Sequence, residues 1–506
     1  MPNLYERILK RENLQKAIET TLKKDGSFIT KSTVLTRDDF YNEDSFRQIK
    51  NRLRGHVKPS SDKIIFNPKA FKNRIYDKIA QQAIYQIIEP IVDINMSKHS
   101  YAYRKGINIK LPVAKIANVI KDSKWNYFFK FDLTKYLNQV PLDSFINAVR
   151  HLGVKDPKAL KAIKTVMWAT NYDGIGLIEK SVLTPLLINC FLTRIDVFME
   201  KNLDMTNKFC FSRDFDKHKE NYSEWLKSRN RKPKAYYFRY ADAIIIVSHS
   251  KSEDLWINEM TKEFLFKNMN VPTKDVCFES SCDKCHFLGF FVFKNKTKNK
   301  VGIRISNPNK IIEKIKQCKF NGLNETWNFL RWYVNMLNYF DIVNDMTPIL
   351  KTLENRLWKR SSRKTAWIKK IGSSKYQYTY SGKTVTIDVF QLRKNSKVSF
   401  KEYLINGSWL QQRELLKISD FHNTKWYQIY KYSLWTKQKG KDPITNEPLN
   451  INEMDIHHIK PKKQDGTDEI ENLILINRST HKMIHSKKET NFRKIIQYRK
   501  YLVQTT

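Results

Sequence analysis

The run Phe238-Arg239-Tyr240-Ala241-Asp242-Ala243-Ile244-Ile245-Ile246-Val247 constrains this chain more than any other stretch. Its aromatic and β-branched residues fall on either side of a polar interruption, which predicts two short strands meeting at a tight hairpin. A carboxylate, Asp242, sits at that turn between two alanines. From residue 125 to 293, β-rich runs alternate with helical patterns, so the hairpin belongs to an α/β unit.

Charge narrows the partner. The 506 residues carry 92 Lys+Arg against 51 Asp+Glu, a net charge of +41. Such a surplus implies a polyanion, and its spread along the chain implies a binding surface that crosses several domains. A membrane surface is the competing partner. No segment reaches the ~18 uninterrupted apolar residues of a spanning helix; the nearest, residues 181–199, is broken by Asn189, Arg194 and Asp196. Met1 to Arg7 carry no signal-peptide core, so no membrane insertion is expected and nucleic acid is favoured. Hydrophobic residues at 41% suffice for packed cores, and the length implies about three or four domains. Six cysteines argue for a reducing compartment. Cys277, Cys282, Cys285 and His286 are irregularly spaced, so thiols are preferred there over a zinc site.

Spacing predicts a helix over residues 1–25 and another over Lys78–Ile88, ending near Pro90. Lys294 to Lys300 reads as a basic turn or linker, residues 307–370 as largely helical, and 373–425 as mixed and basic. The expected division is an N-terminal extension (1–60), then units at 61–300, 301–425 and 426–506.

Three segments then follow one another in a known order. They are Tyr76-Asp77-Lys78-Ile79-Ala80-Gln81-Gln82-Ala83 running to Ile91, Ser97 to Gly106, and Lys130-Phe131-Asp132-Leu133-Thr134-Lys135-Tyr136. They resemble the finger helix, the "SYGFRPG" segment and the first catalytic strand of group II intron-encoded maturases, reverse transcriptases that carry a maturase domain and an HNH nuclease domain. The resemblance covers nearly the whole chain. It implies an α/β multidomain fold with right-hand polymerase fingers and palm, a helical thumb/maturase domain and a C-terminal ββα-metal (HNH) domain. It also puts Asp132 at a metal-binding position and Tyr136 where an aromatic screens the incoming sugar.

Copying a nucleic acid uses two divalent ions, which need clustered carboxylates. Here the family's "YADD" box is Tyr240-Ala241-Asp242-Ala243, leaving Asp132 and Asp242 without a third partner. The family's "PQG" is replaced by Ile178-Glu179-Lys180. Two lesions in one site imply an inactive polymerase with vestigial carboxylates, retained as turn or ion-pair residues.

Residues 327–372 resemble the thumb and maturase domain. Apolar positions Leu330, Tyr333, Val334, Leu337 and Phe340 recur at helical spacing as a core stripe. Arg331, Arg356, Lys359, Arg360, Arg363, Lys364, Lys369 and Lys370, interleaved with Trp358 and Trp367, suit folded RNA through phosphate pairing and base stacking.

Met454-Asp455-Ile456-His457-His458-Ile459-Lys460-Pro461, Asn472, and His481 to His485 resemble the HNH nuclease motif. In that reading His458 is the general base. His457, with His481 and His485 four apart on a helix, holds a divalent ion, Mg²⁺ or Zn²⁺. Asn472 ties down the histidine loop. Gly440 to Leu449 resembles "GKCPICGEPL" with Asp442 and Thr445 in place of both cysteines, and Thr480 where another is common, so the structural zinc is expected to be lost.

The reading is a maturase-like protein that binds intron RNA and assists splicing of organellar group II-type introns, with nicking activity left open. The alternative is an HNH homing endonuclease acting on intron target DNA, with or without residual reverse transcription. A homodimer and host splicing factors are left open as further partners. The Lys-, Asn- and Ile-rich composition favours an organelle, the plastid ahead of the mitochondrion.

Overall fold

The computed structural model describes residues 3–22, 27–29, 34–36, 38–57, 68–121, 125–167, 175–178, 181–205, 232–295, 300–317, 347–361, 368–373, 375–380, 383–388, 416 and 426–485. It is a mixed α/β chain that begins with helices. The single helix expected over 1–25 is instead two, Leu4–Leu9 and Arg11–Leu22. They part at Lys10, whose ψ of 141° is extended. Asn3 starts the first helix by accepting from the Glu6 amide. Leu4, Ile8, Leu14, Ala17 and Ile18 are all buried. They share one core with the Glu43–Arg54 helix and with the long helix Pro68–Asn95.

That long helix corrects the expectation of an end near Pro90, which lies inside it. A proline there removes one ladder hydrogen bond. Ile87, Ile88, Ile91 and Val92 are buried on both sides of it, so packing outweighs the local rule.

The hairpin forms from strands Ala235–Tyr240 and Ala243–Ser248. It lies in a four-stranded antiparallel sheet, next to Tyr127–Asp132 and then Cys277–Cys282. Side chains alternate across a strand. Phe129, Phe131, Ile244 and Ile246 therefore face the helical core, while Phe128, Ile245 and Val247 face a second one. The second core is completed by helices Lys110–Ile120, Pro308–Gln317 and Thr347–Ser361 and by a sheet of Lys284–Phe287, Phe290–Asn295 and Lys300–Ile305. The basic run at 294–300 thus joins two paired strands, and this sheet spans residue 300. Ile368–Lys370, expected to be helical, is a strand paired with Lys375–Tyr380. The apolar stripe at Leu330 to Phe340 lies outside the described residues. No helix among the described residues is long and apolar enough to cross a membrane.

The C-terminal unit contains helix Trp426–Gln438, an antiparallel pair Met454–His458 and Leu473–Asn477, and helix Arg478–His485. Leu434, Trp435, Leu449, Met454, Leu473 and Leu475 form its core. Gln438 zips the strand edge, its side chain exchanging bonds of 2.7 and 2.8 Å with the Leu475 backbone. Cys277 and Cys282 are exposed and Cys285 is buried, and among the described residues they form no metal-binding group with His286.

Candidate active site

Strand alternation sends His457 and His458 to opposite sides of the Met454–His458 strand. His457 meets His481 and His485, one turn apart on the final helix. One ring nitrogen of each lies within 4.8 Å of the others. His457 is buried, and burial, followed by the neighbouring His481, His485 and His458, pushes its pKa down to about 4. It is therefore a neutral imidazole at pH 7, the form that ligates metal. His481 places Nδ1 3.0 Å from the Asp455 carboxylate, the kind of outer contact that orients a ligating histidine. The donor set fits a divalent ion.

On the other side, His458 Nε2 lies 2.7 Å from Asp468 Oδ1. Lys462 donates to the other oxygen at 2.8 Å. Burial works against the Asp468 charge, but the bonds from Lys462 and His458 outweigh it and hold the carboxyl below its ordinary range. Asn472 joins the loop ends. Its side-chain oxygen accepts from the Lys460 amide at 2.7 Å, and its amide donates to the Lys460 and Thr467 carbonyls at 3.0 and 2.8 Å. Sequence reasoning missed Asp468, and no spacing rule marks it. Asp455 lies within the motif but was assigned no role.

Asp442, expected from the resemblance to stand in a cysteine's place, is fully buried. Its carboxylate accepts from the amides of Ile444 (2.9 Å), Thr445 (3.3 Å) and Asn477 (2.9 Å). It ties the turn at residues 442–445 to the end of the Leu473–Asn477 strand. Thr445 accepts from the Glu447 amide, and Thr480 is buried.

The acidic turn is built differently. Asp132 ends its strand opposite Ala243. Asp132 Oδ1 accepts from the Thr134 amide at 2.8 Å, and Thr134 Oγ1 donates to Asp242 Oδ2 at 2.5 Å. Ala241 has a φ of 57°, a left-handed conformation costly for a residue with a Cβ. Beneath it, fully buried Arg239 clamps the loop by donating to the Ala241 carbonyl at 3.1 Å. Its other donors reach Asp196 at 2.7 and 2.6 Å, Asn189 at 3.0 Å and Ser100 at 2.8 Å. Tyr136 is buried, its hydroxyl donating to the Met269 carbonyl at 2.7 Å. Ile178 is buried; Glu179 and Lys180 lie outside the described residues.

The basic residues named from the sequence fall on several elements. Arg356 donates to the Lys316 carbonyl at 2.9 Å, closing the end of the Pro308–Gln317 helix. Trp358 and Lys359 are exposed on the Thr347–Ser361 helix, and Lys369 and Lys370 on a strand. Arg360 lies in that same helix. Arg331, Arg363, Lys364 and Trp367 lie outside the described residues.

Residues 441–487 match the family described as HNH endonuclease. The chain is similar to the COX1/OXI3 intron 2 protein of Saccharomyces cerevisiae, 23% identical over 325 residues, covering 56% of this chain and 36% of that protein. The intron 1 protein of the same gene is 26% identical over 140 residues, 26% of this chain and 16% of that one. A 91 kDa protein in the cob intron of Schizosaccharomyces pombe is 24% identical over 131 residues, 24% of this chain and 16% of that one. The chain thus spans about a third or less of the length of these curated relatives. A telomerase from Candida albicans superposes with a TM-score of only 0.34 at 8% identity, over 74% of this chain and 58% of that one, too loosely to argue from. The plastid preference is corrected: COX1 and cob introns are mitochondrial, which points to the mitochondrion. The chain carries a C-terminal HNH endonuclease domain and is homologous to intron-encoded proteins.

Proposed function

We propose that this chain is a mitochondrial intron-encoded protein whose HNH unit hydrolyses a DNA phosphodiester. The observation that carries this is the convergence of His457, His481 and His485 within 4.8 Å, with His458 on the adjoining strand position. His457, His481 and His485 would hold a divalent ion there, which would supply Lewis-acid stabilisation of the leaving oxygen. His458 takes the proton of the attacking water, and Asp468 orients the ring and stabilises the imidazolium that results. Asn472 keeps the loop between them closed. In the full chain with Mg²⁺ or Mn²⁺, supercoiled plasmid carrying the joined exons that flank the intron should become open circles. His458→Ala should stop this. Intact plasmid across Mg²⁺, Mn²⁺ and Zn²⁺ would sink the nuclease.

A second role, as a maturase-like RNA-binding splicing factor, is favoured by the +41 charge together with Ala243 standing opposite Asp132. In this reading residues 61–300 are a polymerase fingers/palm body kept for binding, and 301–425 the thumb and maturase domain. Exposed Trp358, Lys359, Lys369 and Lys370 belong to its RNA surface, whereas Arg356 holds a helix end. Intron RNA binding should then weaken about 10³–10⁵-fold between 50 and 200 mM salt, as for six to ten phosphate contacts. Equal binding to unrelated RNA would refute it.

A further inference from the structure

The short segment 468–472 faces two ways. Asp468 and Asn472 point into the nuclease centre, one on the His458 ring and the other on the Lys460 backbone. Glu469 and Glu471 point out, and each meets a cation from the other end of the chain. Arg7 Nη2 lies 2.8 Å from Glu469 Oε1, and Lys16 Nζ lies 2.5 Å from Glu471 Oε1. Arg7 also donates to the Tyr430 hydroxyl at 3.4 Å, and that hydroxyl donates to Glu469 at 3.4 Å. Two residues on, Tyr432 is fully buried and accepts from Arg104 at 2.8 Å, while Arg104 is itself locked to Asp93 at 2.5 Å. The N-terminal helices therefore grip the C-terminal unit at the segment that orients the base, while Asp93 of the long helix, through Arg104, holds the Trp426–Gln438 helix beside it.

We infer that Arg7, with Lys16 in support, is a positioning residue of the HNH centre, acting through Glu469 and the 468–472 segment on His458. The inference rests on the nuclease reading of His458. The Arg7 and Glu469 side chains are 15% and 29% exposed, so their bond is shielded more than an ordinary surface pair. Lys16 and Glu471, at 31% and 55%, contribute less. The segment has no regular strand or α-helix of its own to stiffen it, only a 3₁₀ turn at Ile470–Asn472. Catalytic groups misplaced by an ångström lose about 10²-fold in rate. An outside anchor on this turn therefore bears on chemistry and not on DNA or metal affinity.

The test uses the full chain, supercoiled plasmid and Mn²⁺, with Arg7→Glu, Glu469→Arg and the double reversal. Each single variant should lower kcat for nicking about 10–100-fold, with KM for plasmid and Mn²⁺ affinity within about twofold of wild type. The double reversal should restore kcat, which rules out misfolding as the cause. Single variants that nick like wild type, or a double reversal no better than either, would overturn the positioning role and leave the nuclease reading intact. Amide exchange at Lys460 and Asn472 reads the same brace without catalysis. It should quicken in each single variant and recover in the double. If wild type does not nick at all, the nuclease reading fails by itself, and unchanged exchange in Arg7→Glu would separately overturn the brace.

Discussion

The acidic turn and the histidine cluster both sit at strand ends next to a hairpin, yet they use their polar side chains in opposite ways. Asp132 and Asp242 are engaged by the amide and hydroxyl of Thr134, and the residue paired with Asp132 is Ala243, which offers only a methyl. In the C-terminal unit the imidazoles converge, and the carboxylates stand behind them: Asp455 on His481 and Asp468 on His458. A centre that keeps its outer supports is arranged for chemistry. At the acidic turn the carboxylates instead hold Thr134, one by its amide and the other by its hydroxyl.

The largest expected effect separates the two directly. His458→Ala should lower nicking by about 10²–10⁴-fold, the usual worth of a general base, while Asp132→Ala leaves nicking unchanged. Loss of nicking in Asp132→Ala would erase the contrast. Next comes the buried brace. Asp442→Ala orphans three backbone amides, and at about 1–3 kcal/mol for each unsatisfied group thermal unfolding should show a loss of roughly 3 kcal/mol or more. A near-neutral variant would mean the carboxylate has not taken over a structural role. Asp455→Asn should weaken Mn²⁺ or Zn²⁺ binding by about 10–100-fold, read by calorimetry.

A smaller effect comes from His99, behind the acidic turn. Burial, with help from Lys98 and Lys115, lowers its pKa from 6.5 to about 4. The unfolded chain takes a proton near 6.5 that the folded chain refuses, so this contribution to stability is complete above pH 6.5 and is lost as pH falls toward 4. Tm should drop by a few degrees across that window, with or without Mn²⁺, and the slope should flatten in His99→Gln. A slope abolished by metal would assign it to the histidine cluster instead. The smallest expectation is none: in the proposed inactive-polymerase reading, Ala243→Asp should not confer primer extension, because Ile178-Glu179-Lys180 stands where that reading needs Pro-Gln-Gly. Robust synthesis by wild type, abolished by Asp132→Ala, would refute the inactive palm.

Much of the site was legible because its signals are local. His481 and His485 share a helix face by the period of the helix, and Ala241-Asp242 reads as a turn between apolar strands. Asp468 was not legible. It reaches His458 because the loop doubles back at Gly466, where an added Cβ would stand 1.8 Å from the Lys460 carbonyl oxygen. Pro90 was misread for the converse reason: a local rule about helix ends was overruled by burial on both sides of it. The proposed RNA-facing assignment rests on charge and sequence resemblance alone. Arg356 shows how a basic residue in a favourable run can serve the fold instead.

By itself the sequence determined the charge, the hairpin and which histidines share a helix face, since composition and short-range periodicity carry that information along the chain. Tertiary structure alone decided which carboxylates stand behind the histidines, which amides the buried Asp442 holds, and that Arg7 reaches Glu469 across 462 positions. Such pairings depend on how whole helices and sheets pack against one another, and no window of neighbouring residues encodes that distance.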